Sequence, residues 1–249
     1  MLSLTANIRN EMIKMALKKR TIAFLALTLL LPVAAGILLS RFQQGIGIGA
    51  FTSQDFPIMM LGILTSVLLP LFLFMNAADS FAGEIGDRTM KNVLTRPITR
   101  FGVFTSKQAA LALAAIVYLA AGFLSSTLSS LLLQHSGGFG TVLKWLLAYG
   151  AAFVPLLVIS MLGVLFAQFF RSSGTALTVS ILIYLGAKAG SFFLPQLNRF
   201  SPVSYLDWHM LWVGSGLDLG RIGAIFMFLL ACSILLFTAG FYVFDRKEL

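Results

Sequence analysis

IMMLGILTSVLLPLFLFMNAA, residues 58–78, is the run that decides the class of fold. It holds no ionisable side chain. At a rise of about 1.5 Å per residue, a helix of that length crosses about 30 Å of hydrocarbon. Working outward, the same kind of block recurs at residues 21–40, 109–133, 146–170, 175–194 and 222–244. The chain is 58% hydrophobic over 249 residues, with charge on only 11%. Soluble domains carry charge on about 25% of positions, and one of this size has no core large enough to hide so much apolar surface. The expected fold class is therefore an all-α membrane protein with six transmembrane helices, forming a single domain over residues 1–249. Pro32, Pro70 and Pro155 fall inside spans and are expected to bend them.

The net charge of +9 sits between the apolar blocks rather than on a folded domain, which argues against nucleic acid as a partner and for contact with the lipid bilayer. With the N-terminus inside, the inner connections hold Arg9, Lys14, Lys18, Lys19 and Arg20, then Arg88, Lys91, Arg96, Arg100 and Lys107, then Arg171, Arg246 and Lys247. The outer side holds only Arg41, Lys144, Lys188, Arg199 and Arg221. This asymmetry predicts that both termini are cytoplasmic. All three tryptophans, Trp145, Trp208 and Trp212, then fall outside, where they read as interfacial anchors.

Residues 1–20 read as an amphipathic helix lying in the headgroup plane. Leu4, Ile8, Met12 and Met15 form one stripe; Asn7, Glu11, Lys14 and Lys18 form the other, expected to face the polar side.

The inner connection, SFAGEIGDRTMKNVLTRPITRFGVFTSK over residues 80–107, is the most informative loop. Glu84, Asp87, Arg88 and Lys91 share one helical face, and Met90, Val93, Leu94 and Pro97 another. Glu84 with Arg88 and Asp87 with Lys91 have acid-first i,i+4 spacing, and Pro97 should end the helix. The expectation is a short cytoplasmic amphipathic helix, either a solvated connector or an element that docks its apolar edge into a partner.

These residues resemble a known family. Glu84, Thr89, Leu94, Arg96-Pro97, Thr99-Arg100 and Lys107 follow the signature of type-2 ABC exporter permeases: Glu, a Gly-Thr pair, a leucine pair, Arg/Tyr-Pro, Ser/Thr-Arg, then Lys. Arg88 stands where that signature has glycine, and Val93 replaces the first leucine. The amphipathic N-terminus is similar to the family's elbow helix, LFAQFFRSSGTALTVS at 165–180 to its turn between fourth and fifth spans, SPVSYLD at 201–207 to its Ser-Pro-Phe-x-Tyr-Leu element, and Phe244-x-Arg246-Lys247-Glu248-Leu249 to its tail.

The resemblance implies a permease subunit of an ATP-driven exporter in a bacterial cytoplasmic membrane. It implies pairing with a second permease and with separate ATPase subunits that bind ATP and Mg. Glu84, Asp87, Arg88, Thr89, Met90, Leu94, Arg96, Pro97 and Arg100 are then the coupling residues, with residues 80–100 as coupling helix. The segment 195–221, with Tyr205, Trp208 and Trp212, is a re-entrant outer gate or an aromatic anchor, and the anchor is the favoured reading.

The alternatives are weaker. A secondary transporter normally needs an acid near the membrane midplane, and none falls there. A membrane-embedded enzyme would need a metal or catalytic cluster, but His135 and His209 stand apart with no His-Glu-x-x-His spacing. No Gly-x4-Gly-Lys-Ser/Thr loop is present, so no nucleotide site, catalytic residue or metal is expected in this chain. Substrates of the resembled family include peptides, antibiotics and lipids, and nothing in the residues selects among them.

Overall fold

The computed structural model describes residues 2–46, 56–90, 99–134, 139–193, 195–213 and 218–247. Lys91, Val93, Leu94, Arg96 and Pro97 of the connection, His135, and the terminal Glu248 and Leu249 lie outside the described residues.

The described chain is helical throughout. Helix α1 is Leu2–Ala16, α2 Lys19–Ile46, α3 Phe56–Gly86, α4 Arg100–Gln134, α5 Phe139–Ala167, α6 Ser173–Phe193 and α7 Leu219–Asp245, with three 3₁₀ segments (Pro195–Phe200, Pro202–Tyr205 and Trp208–Trp212) before α7. Among the described residues, five helices are long and apolar enough to cross a membrane: Lys19–Arg41 of α2, α3, Arg100–Leu131 of α4, Gly140–Ala167 of α5, and α7. The sixth predicted span, 175–194, is present as the 21-residue helix α6.

Helix α3 is the centre of the bundle, with 67% of its apolar window buried, against 17% for α2 and 11% for α7. Leu69, Phe72, Leu73 and Phe74 form the middle of the core. Close approach around them relies on glycine. A Cβ on Gly163 of α5 would lie 2.7 Å from the Phe74 ring, and one on Gly122 of α4 would lie 2.6 Å from Leu64. Ala110 and Ala114 of α4 are buried within this chain, whereas Gly186 has open space beside it.

Polar side chains between helices are used unevenly. Gln108 donates to Ser160 Oγ across α4 and α5 at 2.8 Å, as an interhelical partner should. Asn76 instead donates to Phe72 of its own helix. Two five-residue π-helical segments, Leu64–Leu68 and Asp79–Gly83, interrupt α3. The first lies immediately before Pro70, whose missing amide hydrogen already disturbs the ladder there.

Three expectations are corrected. Over residues 80–86 there is no separate short helix, because α3 continues through its second π-helical segment to Gly86 and carries Glu84 in its last turn. The polar stripe of α1 does not face outward as a whole: Glu11 is buried beside Met15, while Lys14 is exposed. Trp145 and Trp208 are buried in the fold rather than standing as free interfacial rings.

Candidate functional site: a buried ion ring beneath the connection

The ends of α1, α3 and α7 and the start of α4 meet at one end of the bundle, where most basic residues collect. Glu11 enters from α1, Glu84 from the last turn of α3 and Lys107 from α4. The Lys107 ammonium, completely buried, lies 3.1 Å from Glu11 Oε2 and 2.8 Å from Glu84 Oε2. Lys14, one turn after Glu11, reaches Glu11 Oε1 at 3.0 Å and Glu84 Oε1 at 3.4 Å. The four side chains close a neutral ring of alternating charge. Beside it Lys18 pairs with Asp79 at 3.0 Å, a second tie between the N-terminal segment and α3.

Burial decides the character of this ring. An isolated charge in such a place costs several kcal/mol, so it persists only because each ion has partners of opposite sign. Burial pushes the Glu11 carboxyl up, but Lys107 and Lys14 outweigh it and hold Glu11 below the ordinary value of 4.5. Burial likewise pushes the Lys14 ammonium down, while Glu11 and Glu84 outweigh that and raise it. The ring links three helices through ion pairs.

After Gly86 the chain turns sharply. Arg88 has φ 56°, the left-handed region that glycine occupies without strain. The resembled signature places glycine at this position, and the turn supplies the reason: the backbone keeps that conformation even with arginine. The predicted Glu84–Arg88 pair therefore does not form, since the helix has ended and Glu84 is committed to Lys107 and Lys14. Asp87, Arg88 and Thr89 are exposed, with the Thr89 hydroxyl donating to the Glu84 carbonyl at 3.3 Å. Met90 turns inward and is 1% exposed. It packs in this chain's own core, so it is not presented as an outward docking edge.

Where the chain re-enters the description, Thr99 Oγ1 accepts from the Gly102 amide at 3.1 Å and caps α4. Arg100 then reaches across to the end of α7, donating to the carbonyls of Asp245 and of Lys247, the latter at 3.2 Å. A cation on the last carbonyls of a helix satisfies groups left without intrahelical partners and matches the helix dipole. Gly86 lies against the turn between α5 and α6 so closely that a Cβ there would sit 2.1 Å from the Arg171 carbonyl oxygen. The same end of the molecule thus gathers α1, α3, α4, α7 and the α5–α6 turn.

Of the ring, only Glu84 was among the residues expected to couple; Lys107 was noted solely as a match to the family signature, and Glu11, Lys14 and the Lys18–Asp79 pair were missed. One signal was available: Glu11 is the only acid before Asp55, set in a basic segment. Leu94, Arg96 and Pro97 cannot be placed relative to the ring, lying outside the described residues.

Tyr205, Trp208 and Trp212 stand at the other end. The Trp208 indole N–H donates to the Ala151 carbonyl of α5 at 2.7 Å, its ring meets Trp212 edge-on at 5.7 Å, and Tyr205 packs on Phe228 of α7 at 5.2 Å. His209 is fully buried, with Nδ1 3.2 Å from the Leu206 carbonyl. The segment is a folded plug against α5 and α7.

Compared with known proteins, residues 7–187 match a family model described as ABC-2 family transporter protein. No curated protein matches the chain.

Proposed function

The chain belongs to the ABC-2 transporter family, the membrane-spanning permeases of ABC transporters, and from that premise we propose that it is an exporter subunit driven by a separate ATPase bound at its basic end. Six helices, α2 to α7, cross the bacterial cytoplasmic membrane with both termini inside. Two such permeases, as a homodimer or heterodimer, enclose the pathway, and each carries an ATPase subunit that holds ATP and Mg. Closure of the ATPases moves the connection over residues 80–100, and the spans alternate access as rigid bodies. ATP and substrate act by binding one state of the spans better than the other.

The observation that carries this reading is the Glu11–Lys107–Glu84 bridge. A connection fastened only to its own loop would bend when pulled. One whose root is ion-paired to α1 and α4 moves both. Glu84 is the joint, Lys107 its counter-ion, and Arg100 caps the end of α7 beside them. Asp87 and Thr89 are the exposed residues available to the ATPase.

Two experiments test it. Glu84→Gln should leave the complex with the ATPase intact but uncouple ATP hydrolysis from transport; coupling equal to the unmodified protein would refute the role. A cysteine at Thr99 should be shielded from an impermeant reagent in intact cells while one at Ser136 reacts, and the reverse pattern would invert the orientation.

A further inference from the structure

Other charges at the same end stand outside the ring, without ion-pair partners among the described residues. Arg88 from the left-handed turn, Arg171 from the α5–α6 turn and Lys247 just beyond α7 line one cleft of about 870 Å³. None of the three is in an ion pair among the described residues. Lys247 donates only to the Gln168 backbone carbonyl. Burial, with the like charge of Arg171 added, pushes the Lys247 ammonium below its ordinary value. An anion placed between them would relieve that repulsion.

The rest of the lining says which kind of anion. Ile85, Met90 and Phe170 make an apolar floor, and Phe169, 63% exposed, stands at the edge. Arg171 and Lys247 each follow closely on the end of a membrane-length helix, α5 and α7, so the cleft sits at the level of lipid headgroups. Guanidinium groups hold phosphate oxygens in pairs, and basic pockets between spans suit acidic headgroups. A soluble anion would have no use for the exposed phenyl ring. We propose that this cleft binds the phosphate of an anionic phospholipid headgroup, with the acyl chains passing over Phe169.

The test uses the purified full chain in neutral detergent, with thermal denaturation followed as phosphatidylglycerol, phosphatidylcholine or inorganic phosphate is added. Phosphatidylglycerol should raise the melting temperature saturably, and the other two should not. Arg88→Gln, Arg171→Gln and Lys247→Gln together should weaken that response, by about fivefold for each cation removed. If the triple variant does not fold, Arg171→Gln alone, at an exposed turn position, should show the fivefold loss. Arg41→Gln with Lys144→Gln, far from the cleft in sequence, should leave the response unchanged. Saturation by inorganic phosphate would make this a soluble-anion site and overturn the proposal. An unchanged response in the Arg171 variant, or an equal loss in the Arg41 and Lys144 control, would overturn it too.

Discussion

Replacing Lys107 by methionine removes the one fully buried member of the ion ring while keeping most of its volume. Its two carboxylate contacts, at 3.1 and 2.8 Å, place Glu11 Oε2 and Glu84 Oε2 no more than about 6 Å apart. At an effective dielectric constant of about 20, two unit charges at that distance repel by about 3 kcal/mol. Breaking a buried pair from one side costs about 3–5 kcal/mol. Lys14 remains to offset part of this, but it is partly exposed and its contact with Glu84 is the longest of the four, at 3.4 Å. The expected loss is about 3 kcal/mol, or a fall of about 10 °C in melting temperature for a chain of this size.

Two further readings make the test specific. Adding Glu11→Gln to Lys107→Met restores neutrality and should recover a large part of the loss, a coupling of about 1–3 kcal/mol. The pH dependence should also change sign. In the unmodified protein the Glu11 carboxyl is held below 4.5, so its stabilisation is present above that pH and is lost as pH falls through the folded value. Without Lys107 the same carboxyl should rise above 4.5. The variant's deficit should then narrow as pH is lowered from neutrality. A variant that melts like the parent, or whose deficit ignores Glu11→Gln, would refute the ring as a joint.

Other outcomes follow from single positions. Gly86→Ala should cost about 1–3 kcal/mol and open the contact with the α5–α6 turn, because its Cβ would meet the Arg171 carbonyl oxygen at 2.1 Å; an unchanged melting temperature would contradict that contact. Arg88→Gly, measured without acidic lipid, should be neutral or stabilising by up to about 1 kcal/mol, as the left-handed penalty is relieved against glycine's entropy. Arg88→Val should be worse than either, and a valine variant as stable as the parent would exclude the left-handed turn. Trp208→Phe removes the 2.7 Å bond to Ala151 and should cost about 1 kcal/mol, with quenching of the remaining tryptophans by aqueous iodide increasing if the plug loosens.

The spans were legible because hydrophobic length is a local property. The helices overrun the blocks at most ends, as α3 does by reaching Gly86, since backbone hydrogen bonding continues past the hydrocarbon boundary. The ring was not legible for a different reason. Helical spacing groups Asn7, Glu11, Lys14 and Lys18 on one face but does not say which face turns inward. That is settled by partners 96 and 23 residues apart, Glu11 and Glu84 meeting on Lys107. The connection was misread in the same way. Acid-first spacing from Glu84 to Arg88 implies a helical pair, but it assumes that the helix continues, and the left-handed Arg88 ends it. Trp208 looked like an interfacial anchor because an aromatic residue near a span end carries no mark of the carbonyl it will bond.

Coupling by the ring requires α1, the end of α3 and the start of α4 to move as one body when the ATPase binds nucleotide. Spin labels at Leu17, just beyond α1, and Phe101, at the start of α4, both exposed, measure this in one labelled protomer of the complex with its ATPase. The distance between them should stay the same with and without ATP and Mg, while that from Leu17 to a label at Leu219, at the other end of the bundle, should change. If the Leu17–Phe101 distance shifts as far as the Leu17–Leu219 distance, the ring does not hold these helices together during transport.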